Sequence, residues 1–243
     1  MLDATVRTDP TRPLVTYYDH ADDERVELSA ITLRNWVDKT ANLLRDGIGV
    51  DAGSRISVAL PTHWQAVVWL LACWRLGAVV VADSTGPDVA VVGPEAVATQ
   101  NLPAADEVVA TALHPLGAAF SLPLPVGVTD YGIEVFSQAD VFAVRETLDP
   151  GAPAWAVDCA PLDHAGLLRR AADRVTELGI AAGGRLASDA DVSTLAGVVE
   201  LVVVPLLLDG TVVLVRNADP AKLAQLLESE RVDVAAIGRP GAR

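Results

Sequence analysis

Residues 54–84 read SRISVALPTHWQAVVWLLACWRLGAVVVADS, and the order of character along this stretch decides the fold. Positions 55–60 form a β-rich run, Pro61 and Thr62 interrupt it, and an apolar stretch over 63–76 has the length of a helix. Gly77 stops that helix and 78–82 is a second β-rich run. A strand, a helix and a strand joined by so short a crossover predict a parallel pair. The helix is apolar on nearly every side, so other elements must cover it. Trp64, Trp69 and Trp74 recur every five residues, which spreads them around the helix as core or interface groups. The turn Pro61-Thr62-His63-Trp64 carries neither G-x-G-x-x-G nor G-x-x-x-x-G-K, so the unit reads as scaffold and not as a nucleotide cradle.

Moving outward, 13–28 reads as a hairpin around the polar turn 19–24. Ser29 then caps a helix whose Leu33, Trp36, Val37, Thr40, Leu43 and Leu44 share one face, and Gly47 and Gly49 end it. A strand is expected at 89–92. Between 97 and 125 the prolines Pro103, Pro115, Pro123 and Pro125 break any long element, leaving short strands at 107–113 and 142–144 and a helix at 130–138. Strand 154–157 leads to helix 164–178, with Asp163 placed to cap it. Strand 185–187, a buried helix over 193–208 and strand 211–215 follow. Asp219 caps a last helix with Pro220 at its first position, and 231–237 returns as a strand.

This order contains an internal repeat. Residues 49–56 read GVDAGSRI and 179–186 read GIAAGGRL, each after an amphipathic helix and before a strand, an apolar helix and a glycine-led strand. The expected architecture is therefore α/β, with two similar layered lobes on mostly parallel sheets. They lie within one domain of 1–243, lobe one over about 1–105 and lobe two over about 106–243, with any ligand cleft between them.

The bulk numbers narrow the function. The chain has 243 residues, 51% hydrophobic, with 18 Lys and Arg against 32 Asp and Glu, a formal charge of -14. Such a surface repels phosphate backbones and anionic lipid, so neither nucleic acid nor a membrane is an expected partner. The first ten residues show no signal-peptide order, and the apolar stretch 195–215 is broken by Glu200, Pro205, Asp209 and Gly210. With only Cys73 and Cys159 and no disulfide framework, a cytoplasmic location is expected. Lys39 and Lys222 are the only lysines. That scarcity, beside abundant Arg, Ala and Val, fits a bacterial, GC-rich genome.

Residues 49–81, GVDAGSRISVALPTHWQAVVWLLACWRLGAVVV, resemble the early part of the AMP-binding, acyl-adenylate-forming enzymes, the acyl-CoA synthetases and their relatives. LAGVVELVVVPLLLDGTVVLV, DPAKLAQLLESERVDV and RPLVTYYDHADDERVELSAITLRNW resemble further segments, with weak agreement over 90–150. The resemblance implies that family's two-lobed N-terminal domain, in a compact bacterial subfamily. It also implies a Ser/Thr/Gly-rich phosphate loop with a lysine after the 153–157 strand. There this chain reads AVDCAPLD over 156–163, with no Gly, Ser, Thr or Lys and two aspartates. A phosphate cradle needs converging backbone N–H groups and positive charge, so the loop is absent. The resemblance further implies adenine- and ribose-binding motifs and a C-terminal catalytic domain beyond RVDVAAIGRPGAR, which this sequence does not carry.

The remaining candidates are few. His164 beside Asp163 could be a base and its orienting carboxylate, but neighbours at a helix start do not face each other, and capping by Asp163 is the preferred reading. His63 reads as structural, and His20 and His114 have no partner visible in sequence. Asp189, Asp191 and Ser193 fall where the resembling family often places residues near the carboxylate substrate, although helix capping by Asp191 or Ser193 explains them as well. DSTGPD at 83–88 reads as an ordinary turn, and no G-x-S-x-G is present. His164, Asp191 and Ser193 are thus the cleft candidates, with no catalytic residue, metal site or cofactor expected. The expectation is a non-catalytic pseudoenzyme that binds an acyl, adenylate or CoA-like molecule, or a protein partner, and that forms a homodimer or complex. Half of a split acyl-activating enzyme, a re-purposed enzyme and a structural protein without a pocket are the alternatives.

Overall fold

The structure, a computed structural model, describes residues 1–144, 147–157 and 161–238. Helix α1 (Leu2–Thr8) precedes the hairpin of β1 (Pro13–Asp19) and β2 (Glu24–Ser29), with Tyr17 opposite Val26. Ser29 Oγ accepts from the Thr32 amide and opens α2 (Ala30–Asn42), which continues through a π-helical turn at Leu43–Ile48 to Gly49 at a φ of 89°. Strand β3 (Arg55–Ala59), α3 (Trp64–Leu76) and β4 (Val79–Val81) form the parallel unit, Ile56 opposite Val80. Next come β5 (Val89–Val92), α4 (Pro94–Thr99), β6 (Glu107–Ala110), β7 (Val128–Asp130) and α5 (Tyr131–Glu134). The Asp130 carboxylate caps α5, and a 3-10 turn at Val135–Ser137 prolongs it. Then follow β8 (Pro153–Ala156), β9 (Leu162–Asp163), α6 (His164–Leu178), β10 (Arg185–Ser188), α7 (Leu195–Val198) and α8 (Val204–Leu207). The described elements end with β11 (Thr211–Arg216), α9 (Pro220–Ser229) and β12 (Val234–Ala236).

The fold is mixed α/β with two mostly parallel sheets, and the chain divides into two compact units. One unit takes Met1–Arg34, Thr62–Val67 and Gly166–Arg243 and holds the sheet β12-β10-β11-β1-β2, parallel except for the hairpin strand β2. Ala187, Val213, Val215 and Leu226 form a core cluster in it. The other unit takes Asn35–Pro61 and Val68–Ala165 and holds the sheet β7-β6-β5-β3-β4-β8-β9, parallel except for β9. There Trp69 and Tyr131 pack at 4.8 Å between ring centres, and Trp69 Nε1 donates to Thr111 Oγ1.

The two similar sequence segments make matching turns. Gly53 and Gly183 both have positive φ, 85° and 75°, and their amides donate to Gly77 O and Leu208 O. Asp88 accepts from the Arg55 amide at 2.8 Å, as Asp233 does from the Arg185 amide at 2.7 Å. Each aspartate's own amide returns a bond to the same arginine's carbonyl.

Several expectations differ from what is seen. The compact units interleave along the chain instead of dividing near residue 105, because β1 pairs in parallel with β11, nearly two hundred residues away. No strand forms over 142–144; Phe142 instead lies under the Arg45 guanidinium at 4.3 Å. The helix expected over 193–208 starts at Leu195 and passes through a π-helical turn at Val199–Val203. Pro205 offers no N–H to the carbonyl four residues back, which favours that change of ladder. The expected strand 231–237 is confined to Val234–Ala236, since Arg231 turns at a φ of 51°. Asp163 lies in β9, paired with Pro153, and α1 and α4 carry no strong periodic pattern that would announce them.

Gly197 tests the packing around α7. A Cβ there would stand 1.9 Å from the Asp191 carbonyl, whereas one on Gly53 meets nothing within 4 Å and is opposed only by its φ of 85°. Gly197→Ala should lower stability by about 3 kcal/mol and Gly53→Ala by about 1 kcal/mol. Urea midpoints measured for the two variants check the difference.

Candidate functional site

In open α/β sheets ligands sit beyond the carboxyl ends of the strands. In the β1/β11 unit that edge is formed by Asp19, Ser188 and Arg216, with Thr62 and His63 beside them in the same unit. Thr62 Oγ1 donates to Ala190 O at 2.9 Å and accepts from the Val192 amide, which ties the 62–63 segment to the loop after β10. His63 is 1% exposed and meets the Tyr17 ring edge-on at 4.5 Å. Its Nδ1 accepts from the Gln65 amide at 3.1 Å, so the proton of the neutral ring sits on Nε2. Nε2 faces Glu24 Oε1 at 3.8 Å, beyond hydrogen-bonding distance, and both atoms are buried without a hydrogen bond among the described residues.

Charge around this pair is controlled from one side. Asp19, 2% exposed, accepts from the Ala21 amide and from Asn217 Nδ2, and faces Arg216 at 3.6 Å. Tyr17 OH points at Asp19 Oδ2 at 3.4 Å. Burial pushes the His63 pKa down, with Glu24 opposing, and burial pushes the Tyr17 hydroxyl well above its ordinary value. The arrangement therefore holds a neutral imidazole beside carboxylates. Asp19 and Glu24 also line a cavity of about 280 Å³, together with Tyr18, His20, Arg25 and Lys222. Glu230, bonded to Tyr18 and Arg25, stays below the usual carboxylate range; burial works against its charge, and those hydrogen bonds outweigh it.

A second buried carboxylate lies in the same unit. Glu200, 3% exposed in the π-helical turn, accepts from Arg174 Nε at 2.7 Å and from the Ser188 hydroxyl. Ser188 in turn accepts from the Ala190 amide, so its oxygen is committed to structure. The other unit has a larger cavity, about 700 Å³, at the amino ends of β3, β4 and β8, lined by Arg45, Arg75, Val79, Phe142, Leu148 and Pro153.

Of the residues singled out in sequence, Asp191 and Ser193 come together in one turn, where Asp191 Oδ1 accepts from the Ser193 amide at 2.9 Å. Neither caps the following helix. Thr194 does so, its Oγ1 accepting from the Gly197 amide while donating to Asp191 O. Asp189 accepts from the Gly238 amide with both oxygens. His164 belongs to the other unit, half-buried at the start of α6, where burial lowers its pKa and the Asp163 charge opposes. Asp158 and Cys159, the centre of the segment compared with the phosphate loop, lie outside the described residues. His20 has a partner that sequence did not reveal: its Nδ1 accepts from the Asp219 amide at 2.8 Å. Lys222 pairs with Asp23, and Lys39 donates to Gln138 O. Among the described residues no cluster of His, Cys, Asp and Glu is placed to hold a metal, and no helix is long and apolar enough to cross a membrane.

The missed members of the site are Tyr17, Asp19, Glu24 and Arg174. Glu200 alone left a trace, as a lone charge in an apolar run. The state of His63 is testable through linkage. Its folded-state pKa lies below the ordinary 6.5, so the unfolded chain takes up the proton first as pH falls. The stability due to neutral His63 is complete above pH 6.5 and is lost as pH falls towards the folded-state value. His63→Gln should therefore lose less stability than the parent between about pH 7.5 and about pH 5.5. Urea midpoints at the two pH values check this, and equal losses would exclude His63 as the titrating group.

The family model described as AMP-binding enzyme matches residues 2–88, which include the strand–helix–strand unit and the hairpin. A TIGR03089 family protein of Mycobacterium tuberculosis is 34% identical over 237 residues, covering 96% of this chain and 94% of that one. Acetyl-coenzyme A synthetase of a Marinomonas species is 41% identical over 68 residues, 27% of this chain and 10% of that protein. The crystal structure of Brucella canis acyl-CoA synthetase superposes with a TM-score of 0.79 at 19% identity, over 96% of this chain and 47% of that one. The chain thus spans under half of that synthetase and shares its fold over the matched part. The protein belongs to the TIGR03089 family, and its residues 2–88 are similar to AMP-binding enzymes.

Proposed function

We propose that this chain binds a small ligand of the acyl, adenylate or CoA-like class and does not itself form an adenylate. One observation carries the reading: residues 156–163, AVDCAPLD, which start on the last residue of β8, have no glycine, hydroxyl or lysine and two carboxylates. ATP phosphates need convergent backbone donors and positive charge, and this segment supplies repulsion in their place. The lysines do not compensate, since Lys39 and Lys222 are engaged with Gln138 and with Asp23 on helices α2 and α9. The ligand class follows from the relatives, whose names are those of acetyl- and acyl-coenzyme A synthetases. Cavities of about 280 and about 700 Å³, each within its own unit, are of the size small molecules use. The matching turns at Gly53 and Gly183 support reading the two units as copies of one scaffold element.

Two measurements test the proposal. ATP–pyrophosphate exchange with acetate and longer carboxylic acids should be absent; acid-dependent exchange would overturn the non-adenylating reading. In a thermal-shift series with AMP, magnesium ATP, CoA and several acyl-CoAs, at least one of the compounds other than ATP should stabilise the protein. A ligand at about a hundred times its Kd adds about 2.7 kcal/mol. For a chain of this size that is roughly 5 to 10 °C. No shift with any of them would remove the ligand-binding half of the proposal.

A further inference from the structure

The β3–β9 unit carries an unusual surface. Among the described residues the exposed large apolar side chains are Met1, Leu168, Leu207 and seven within 116–144, of which Val126 is fully exposed and Ile133 and Phe136 are 62% and 55% exposed. Scattered exposed apolar groups are ordinary, and what distinguishes these is that seven fall within one segment. This one is held in shape from beneath. Tyr131, fully buried, shares a hydrogen bond with Thr40, and the Asp130 carboxylate accepts from the Gly132 and Phe120 amides. A Cβ on Gly132 would meet Ala119 N at 2.4 Å, so the 118–120 backbone is seated directly on α5. Trp36 lies under both Gly117 and the Phe136 ring. Ile133 and Phe136, three apart, form an outward ridge on this support while Val135 turns inward.

The charge of the same region selects the occupant. From residue 76 to residue 144 the sequence has eight acidic residues and neither lysine nor arginine. Glu134, between the two ridge residues in sequence, and Asp140, four residues beyond Phe136, are both exposed. A second copy docking by the same face would set these carboxylates against themselves, within a chain whose net charge is already -14. Anionic lipid is repelled for the same reason. We infer that the Ile133–Phe136 ridge is a docking surface for a protein partner whose contact element is an amphipathic, basic helix, its apolar side chains on the ridge and its Lys or Arg residues on Glu134 and Asp140. Recognition of this kind uses apolar anchors for affinity and charge for encounter and specificity. The inference stands whether or not a small ligand is bound elsewhere.

The test uses the whole protein and a fluorescein-labelled helical peptide of about 18 residues, leucine on one face and lysine on the other. A leucine–glutamate peptide of the same pattern is the control. Fluorescence anisotropy should show binding of the lysine peptide only. Ile133→Ser with Phe136→Ser should weaken it by about tenfold or more, and Leu207→Ser, in the other unit, should leave it unchanged. Phe136 touches Trp36, so a second variant guards against misfolding: Glu134→Lys with Asp140→Lys alters only exposed carboxylates and should weaken binding equally, with an unchanged melting temperature. Absence of binding would overturn the inference, as would binding that neither variant alters or equal binding of the glutamate peptide. It would also be overturned by self-association, seen in sedimentation velocity, or binding to phosphatidylcholine vesicles, if the serine variant abolished either one.

Discussion

The parallel pairing of β1 with β11 is the constraint on which one whole unit depends. Val15 through Asp19 lie opposite Val212 through Arg216, and this pairing joins the N-terminal hairpin to strands from the last quarter of the chain. The entropy of closing so long a loop grows only with the logarithm of its length. Relative to a crossover of some twenty-five residues it adds about 2 kcal/mol. Burying Val15, Tyr17, Val213 and Leu214, each 2% exposed or less, returns about 1.5 to 3 kcal/mol per side chain. The long-range pairing is therefore affordable, and it sets Asp19 and Arg216 side by side at the strand ends, 3.6 Å apart. Tyr17, on the same strand as Asp19, presents its ring to His63.

What could be read in the sequence was what is decided locally. The unit over 55–81 was legible because the apolar run has helical length, Pro61 and Gly77 punctuate it, and valines cluster on either side. The capping roles of Ser29 and Asp219 were legible because each precedes a periodic run. The cap before α7 was not, because Asp191, Ser193 and Thr194 are all competent and only the backbone path decides that Thr194 serves. The interleaving of the units was invisible for a different reason. Parallel pairing leaves no turn between its strands, so nothing near residue 17 announces residue 214. The same holds for the site: His63 looked like a structural histidine at a helix start, and neither Glu24 nor Tyr17 carries a local signal that it will stand beside that ring.

Glu200 and the His63–Glu24 pair, in the same unit, differ in how their buried polar atoms are satisfied. Glu200 has a complete set of partners in Arg174 and Ser188, and a carboxylate so held is stable where it lies. Loss of one such partner characteristically costs about 3 to 5 kcal/mol, because an unpaired charge would remain in the core. Such a network is a structural lock. His63 and Glu24 are not locked: two complementary atoms face each other across 3.8 Å, each desolvated and neither bonded. An unsatisfied buried pair is a burden on stability of a kind that persists where a site has to adapt. Glu24 of this pair also lines the smaller cavity.

The distribution of charge connects these observations to function. A phosphate site needs converging backbone donors and positive charge. Here the segment compared with the phosphate loop is anionic, and 69 consecutive residues from 76 to 144 hold no Lys or Arg. Most of the arginines that remain visible at the sites are already committed: Arg174 to Glu200, Arg185 and Arg25 to Glu230, Arg75 to Asp38. Arginines engaged in this way hold the chain's own carboxylates. The same arithmetic leaves its surface carboxylates available to others. The two proposals, that the chain forms no adenylate and that it docks a basic helix, rest on the same distribution of charge.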